Sequence, residues 1–270
     1  MRKKSSILFV IILSIASSIL LIFGFIQGTS AVLKPKNFEP SAVKKETTPN
    51  SSKKENGLRI VALGDSLTRG VGDDNGEGYV KRLTNKLTNQ FKKKVLLSNL
   101  SVSGAKTGDL VTLLKEPGTG HVIKQADLIV MTIGGNDLFP GVQTLEQNNL
   151  QSYQPDFKTF QTNSRTIIDS IRKDNADVPI YWISLYNPFE DITELGDTSS
   201  FVINWNYQME KLAAQYSNLY IIPVFDLFQG RSNEFVYTDH FHPNKKGYEV
   251  ISERVYQSII SHEQIGGSEQ

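Results

Sequence analysis

Residues 58–70 read LRIVALGDSLTRG, an almost unbroken apolar run that stops at Gly64 and turns polar at Asp65 and Ser66. Apolar residues without polar alternation are the pattern of a strand covered on both faces, as in a parallel sheet between helices. Four more such runs follow, at 94–100, 126–135, 178–186 and 219–225, and segments with helical spacing lie at 78–91, 107–115, 156–174, 200–216 and 245–262. Strand and helix in alternation predict an α/β domain with a mostly parallel sheet and helices on both faces. Ligands in such sheets bind beyond the carboxyl ends of the strands, so the residues just after each run are the candidates for chemistry.

After the first run stands Ser66, which is either a nucleophile or a cap for the helix that follows. After the second, SVSGAKT (101–107) puts Gly104 in a turn; after the third, GGND (134–137) offers Asn136; after the fifth, DHFHP (239–243) offers Asp239, His240 and His242. Acyl transfer needs a nucleophile, a base, an acid that orients the base, and N–H donors for the oxyanion. Ser66 can attack, His242 can take its proton, and Asp239 can hold the imidazole. The backbone N–H groups of Ser66 and Gly104 and the Asn136 amide can receive the oxyanion. His240 is the rival base; the D-x-x-H spacing and the following Pro243 favour His242, because an aspartate three residues earlier in a tight loop can fold back onto one ring nitrogen. Asp226 is a second possible orienting acid and reads as a strand-end cap. Asp65 and Asp137 read as braces for their loops, and His121 and His262 as surface or core histidines.

Taken in order, GDSLTRG, SVSGAKT, GGND and DHFHP resemble the four signature blocks of the SGNH (GDSL) hydrolase family, and the resemblance spans nearly all of residues 58–262. It implies a flavodoxin-like three-layer sandwich whose five-stranded parallel sheet has the order 2-1-3-4-5. It also implies a serine esterase or acylhydrolase, with Ser66 as nucleophile, Asp239 and His242 as acid and base, and Ser66, Gly104 and Asn136 around the oxyanion, without metal or cofactor. Lipid acyl esters, short acyl groups and O-acetylated carbohydrate or cell wall are the substrate classes in view. A reading of another class, a non-catalytic envelope module that holds a glycan or lipid in the same cleft, has no use for the complete Ser, Gly, Asn and His set.

Other motifs fail on spacing. No G-x-S-x-G and no G-x-x-x-x-G-K-[ST] is present, and GVGDDNGEG (70–78) fits neither a dinucleotide fingerprint nor a calcium loop. That stretch reads as a mobile loop near the mouth of the site. The segment 186–201 reads as a specificity loop. Phe139, Tyr186, Phe189 and Trp205 could line an acyl groove, although more of them are expected in the core than in a pocket.

Composition bounds the partners. Among 270 residues, 29 Lys and Arg face 28 Asp and Glu, a formal net charge of +1, so no basic surplus points to nucleic acid. There is no cysteine, which excludes disulfides and thiolate chemistry. Met1-Arg2-Lys3-Lys4 precedes an apolar stretch without charge until Lys34, longer than the about 20 residues that span a bilayer. Residues 1–31 therefore read as a membrane anchor, or as a signal sequence if cleaved near Thr29-Ser30-Ala31. Positive charge ahead of the span predicts an extracytoplasmic position for everything after it. Residues 32–56, rich in Lys, Pro, Ser, Thr and Asn, read as a flexible linker, and 57–270 as the hydrolase domain. The sequence leaves the oligomeric state open.

Overall fold

The five apolar runs become five strands: β1 (Gly57–Gly64), β2 (Lys94–Asn99), β3 (Leu128–Thr132), β4 (Ile180–Ile183) and β5 (Leu219–Ile222). They pair in parallel throughout, in the order β2-β1-β3-β4-β5, as the resemblance implied. The structure, a computed structural model, describes residues 57–139 and 153–267, which fall within one compact unit, Glu55–Gln270. The expected anchor and linker lie outside the described residues; among those described, no helix is long and apolar enough to cross a membrane.

Ten α-helices, counted among the described residues, connect and cover the strands: α1 (Ser66–Arg69), α2 (Gly78–Phe91), α3 (Thr107–Leu113), α4 (Pro117–Lys124), α5 (Gly135–Leu138), α6 (Phe157–Asp174), α7 (Thr198–Ala213), α8 (Phe225–Phe228), α9 (Ser232–Phe235) and α10 (Lys245–Gly267). The pleat of β1 explains the layers, since successive side chains point to opposite faces. Ile60 and Ala62 pack with Leu83 and Leu87 of α2 and with Ile251 and Val255 of α10. Val61 and Leu63 pack on the other face with Leu110 of α3, Ile123 of α4, Ile168 of α6 and Trp205 of α7. The central strands β3 and β4 are buried along their whole length, whereas the edge strand β2 is partly exposed. That is why the central runs carry no polar alternation.

Two differences from the sequence reading have physical causes. The strands β3, β4 and β5 end earlier than their apolar runs. Ile133, Leu185, Tyr186 and Val224 are buried although they have left the ladder, because the two cores they belong to continue past the strand ends, and apolarity reports burial rather than pairing. Helix α4 is absent from the sequence reading because Pro117, Gly118 and Gly120 look like breakers. Proline is tolerated in the first helical turn, where its missing N–H costs nothing, and the helix is held by burial of Ile123.

Candidate active site

The site begins where β1 and β3 touch. Gly64 pairs with Thr132 and has φ +121; a β-carbon there would lie 1.8 Å from the Thr132 carbonyl oxygen. From this contact the chain turns into α1, whose cap is Asp65. Its Oδ1 accepts from the Leu67 N–H at 3.0 Å and from the Thr132 hydroxyl at 2.7 Å. Ser66 thus stands at the first helical position, and the capping role expected as its alternative belongs to its neighbour. Because the Thr132 hydroxyl donates to Asp65, it must accept from Thr68 Oγ1 (2.7 Å), which in turn accepts from the Tyr79 hydroxyl (2.8 Å). The result is a buried chain of hydroxyls polarised toward Asp65. Burial pushes the Asp65 carboxyl up to about 6, against the bonds from Thr132 and Leu67 that pull it down.

The loop 237–243 brings the other two groups. His242 Nδ1 lies 2.6 Å from Asp239 Oδ2, and His242 Nε2 lies 2.8 Å from Ser66 Oγ. An ionised carboxylate only accepts, so Nδ1 carries the proton and Nε2 presents its lone pair to the serine hydroxyl. The second carboxylate oxygen, Asp239 Oδ1, accepts from the N–H groups of Phe241 and His242, both at 3.0 Å. Burial raises the Asp239 carboxyl, but the His242 ring and these two N–H groups outweigh it and hold it below the usual carboxylate range. His240 is exposed and left-handed (φ 55), so the rival histidine makes the turn while His242 points inward. The loop is tied to the segment that follows β4 by the Tyr186 hydroxyl, which donates to the Phe241 carbonyl at 2.5 Å, and Tyr186 is fixed by stacking on Phe228 at 4.0 Å.

The two remaining turns brace each other. Asn136 Nδ2 donates to the Ala105 carbonyl at 3.0 Å, which leaves its second N–H uncommitted by that bond. Asp137 accepts from the Thr107 N–H at 2.9 Å and the Thr107 hydroxyl at 2.6 Å. Among the described residues, the backbone N–H groups of Ser66 and Gly104 donate to no protein acceptor. Asp226 is engaged elsewhere, 2.7 Å from Arg254, and is not an orienting acid for His242. His121 on α4 bonds Gln125, which caps that helix, and His262 stacks on Tyr220.

Against Asn136 and the two chain neighbours of Ser66, Asp65 and Leu67, lies a narrow apolar cavity of about 30 Å³, lined also by Phe139, Leu185, Tyr186 and Phe241. Along the Gly104 turn lies a wider cleft of about 330 Å³ with Ser103 and Asp109 in its wall. Of the four aromatics considered for an acyl groove, Phe139 and Tyr186 line the cavity, whereas Phe189 and Trp205 are fully buried in the core. Sequence reasoning missed the bracing roles of Thr132 and Tyr186. A threonine inside the apolar run ADLIVMTIGG was the available signal, since a buried hydroxyl needs a partner.

With this geometry in hand, comparison with known proteins is informative. The profile of the GDSL-like lipase/acylhydrolase family matches residues 62–250. The chain is 35% identical over 218 residues to the uncharacterized protein YpmR of Bacillus subtilis, covering 78% of this chain and 84% of that one. It is 30% identical over 204 residues to the spore germination lipase LipC of Bacillus licheniformis, covering 73% and 94% respectively. Among solved structures, the lipase Lip_vut3 from a goat rumen metagenome superposes with a TM-score of 0.63 at 29% identity, covering 73% of this chain and 95% of that one. The chain belongs to the GDSL-like lipase/acylhydrolase family and is an ester-hydrolysing enzyme.

Proposed function

We propose that Ser66 is the nucleophile of this esterase, His242 its general base and Asp239 the acid that orients and charges the imidazole. The observation that carries the reading is the unbroken hydrogen-bonded line Asp239–His242–Ser66, at 2.6 and 2.8 Å. As Ser66 Oγ attacks the ester carbonyl, its proton passes to His242 Nε2 and the imidazolium forms against the Asp239 carboxylate. The tetrahedral oxyanion is received by the N–H groups of Ser66 and Gly104 and the second N–H of Asn136. Collapse breaks the bond to the alcohol, which leaves with the proton from Nε2. Water, deprotonated by the same imidazole, then releases the acyl group and restores Ser66.

The narrow apolar cavity at Asn136 and the wide, partly polar cleft along Gly104, each lined by one of the proposed oxyanion donors, support a short acyl group joined to a bulky alcohol. O-acetylated carbohydrate fits that shape; a lipid ester is the second reading, supported by the apolar lining. In the same proposal, residues 1–31 anchor the enzyme and 32–56 tether its hydrolase domain outside the membrane. The test is turnover of p-nitrophenyl esters from acetate to decanoate by the full chain and by Ser66→Ala. Loss of turnover in Ser66→Ala is expected, with acetate or butyrate the best wild-type substrate. A Ser66→Ala enzyme as fast as the wild type would end the catalytic assignment, and a decanoate optimum would end the short-acyl one. Retention of the chain in the membrane fraction after alkaline extraction tests the anchor, which release into the supernatant would refute.

A further inference from the structure

The glycine-rich stretch 70–78, expected to be mobile, is held in place by a buried ion pair. Asp73 is the centre of the network: Oδ1 accepts from the Asn75 N–H at 3.1 Å, Oδ2 accepts from the Gly78 N–H at 3.0 Å, and Oδ2 also accepts from Arg82 Nη1 on α2. The Asp73 side chain has no exposed surface and Arg82 only 10%. Arg82 Nη1 also donates to the Gly78 carbonyl at 2.8 Å. Thus one guanidinium holds both the middle of the loop and its far end. At its base Gly70 and Gly78 meet backbone to backbone; a β-carbon on Gly78 would lie 2.7 Å from the Gly70 Cα. Farther along, the Tyr248 hydroxyl from α10 donates to the Val71 carbonyl at 2.6 Å.

This clasped loop abuts the back of His242. Gly72, at φ +92, faces the loop that carries the base. A β-carbon there would stand 2.5 Å from the Pro243 carbonyl oxygen and 2.9 Å from the His242 Cβ, where ordinary contact begins near 3.4 Å. The Gly72 backbone is therefore the wall on which His242 is seated. Among the described contacts, nothing in the 70–78 loop bonds Ser66 Oγ, His242 Nε2 or the Asp239 carboxylate.

We propose that Gly72 and the Asp73–Arg82 pair are positioning residues for His242: the ion pair fixes the loop, and the loop fixes the imidazole relative to Ser66. This rests on the reading of Ser66 and His242 as nucleophile and base. Displacement of a reacting group by about 1 Å costs up to about 100-fold in rate, so the effect falls on kcat and spares KM.

The experiment compares the full-length wild type with Arg82→Ala, Arg82→Lys, Gly72→Ala and Ser66→Ala on p-nitrophenyl acetate, with cooperative thermal unfolding as the check of folding. Arg82→Ala is expected to lower kcat at least about 10-fold with KM within about two-fold, and millimolar guanidinium ion is expected to restore much of the loss. Arg82→Lys keeps the charge but not the planar fork, and it is expected to lower kcat by a smaller factor, again at constant KM; it carries the test if Arg82→Ala does not fold. Gly72→Ala is expected to lower kcat about 100-fold. Wild-type kcat in folded Arg82 variants, beside an inactive Ser66→Ala, overturns the positioning proposal and leaves the catalytic one standing. A fully active Ser66→Ala overturns both. A fall in kcat that guanidinium does not relieve, accompanied by a rise in KM, also overturns it, since that is the mark of a generally disturbed site.

Discussion

Replacing Asp65 with asparagine should alter how stability depends on pH. The amide would keep an oxygen acceptor for the Leu67 N–H and the Thr132 hydroxyl but would carry no charge. In the fold, burial raises the carboxyl from its ordinary 3.8 to about 6. Between those values the folded chain binds a proton that the unfolded chain has released, so this group's contribution to stability is greatest below about pH 4, falls as pH rises, and is flat above about 6. At about 1.4 kcal/mol for each tenfold change in proton affinity, the ionised Asp65 costs the folded state about 3 kcal/mol near neutrality. Other carboxylates, such as Asp73 and Asp239, are held low and titrate in the opposite sense, but they are common to both proteins and cancel in the comparison. The assay is urea unfolding of wild type and Asp65→Asn at a series of pH values from about 4 to about 8. The wild type should lose about 2.4 kcal/mol of that cost relative to the variant between about pH 4 and 7. A stability difference that does not change with pH, or one that moves in favour of the wild type as pH rises, would refute the reasoning.

Further expectations concern the site and its support. Asn136→Ala should lower kcat by about 10² to 10³ through loss of one oxyanion donor, with unfolding unchanged to within the cost of the single bond to Ala105; steady-state kinetics beside a thermal melt checks this. Asp239→Asn should lower kcat by about 10² to 10⁴, because an amide in place of the acceptor no longer fixes the protonated Nδ1 of His242; the same assay, with KM as the internal control, decides it. Leu83→Ala in α2, fully buried against β1, should destabilise the domain by about 2–5 kcal/mol without changing KM, which denaturant unfolding measures.

The sheet was legible because its central strands are buried on both faces and its sequence repeats strand and helix at regular intervals. The candidate site was legible for a related reason. Ser66, Gly104 and Asn136 each follow a strand closely and His242 follows the last strand beyond two short helices, and the parallel order brings these residues to one edge. The supports were not legible. Thr132, Tyr186 and Tyr248 act through hydroxyls that reach residues 67, 55 and 177 positions away in sequence, and no local pattern announces such partners. The loop 70–78 misleads for the same reason: its glycines look like freedom when read alone, whereas Arg82, on the next helix, removes it.

Gly64 gives the signature Gly-Asp-Ser a second meaning. Any side chain at that position would overlap the Thr132 carbonyl oxygen, so the glycine is demanded by architecture, and under the proposed mechanism the serine two residues later is demanded by chemistry. A saturation library scored for expression alone should therefore tolerate many residues at position 66 and almost none at 64, while the same library scored for ester turnover should reject changes at both. Read this way, a short motif is two separate records, and a homologue that keeps the first glycine but has lost the serine has preserved the scaffold after giving up the reaction.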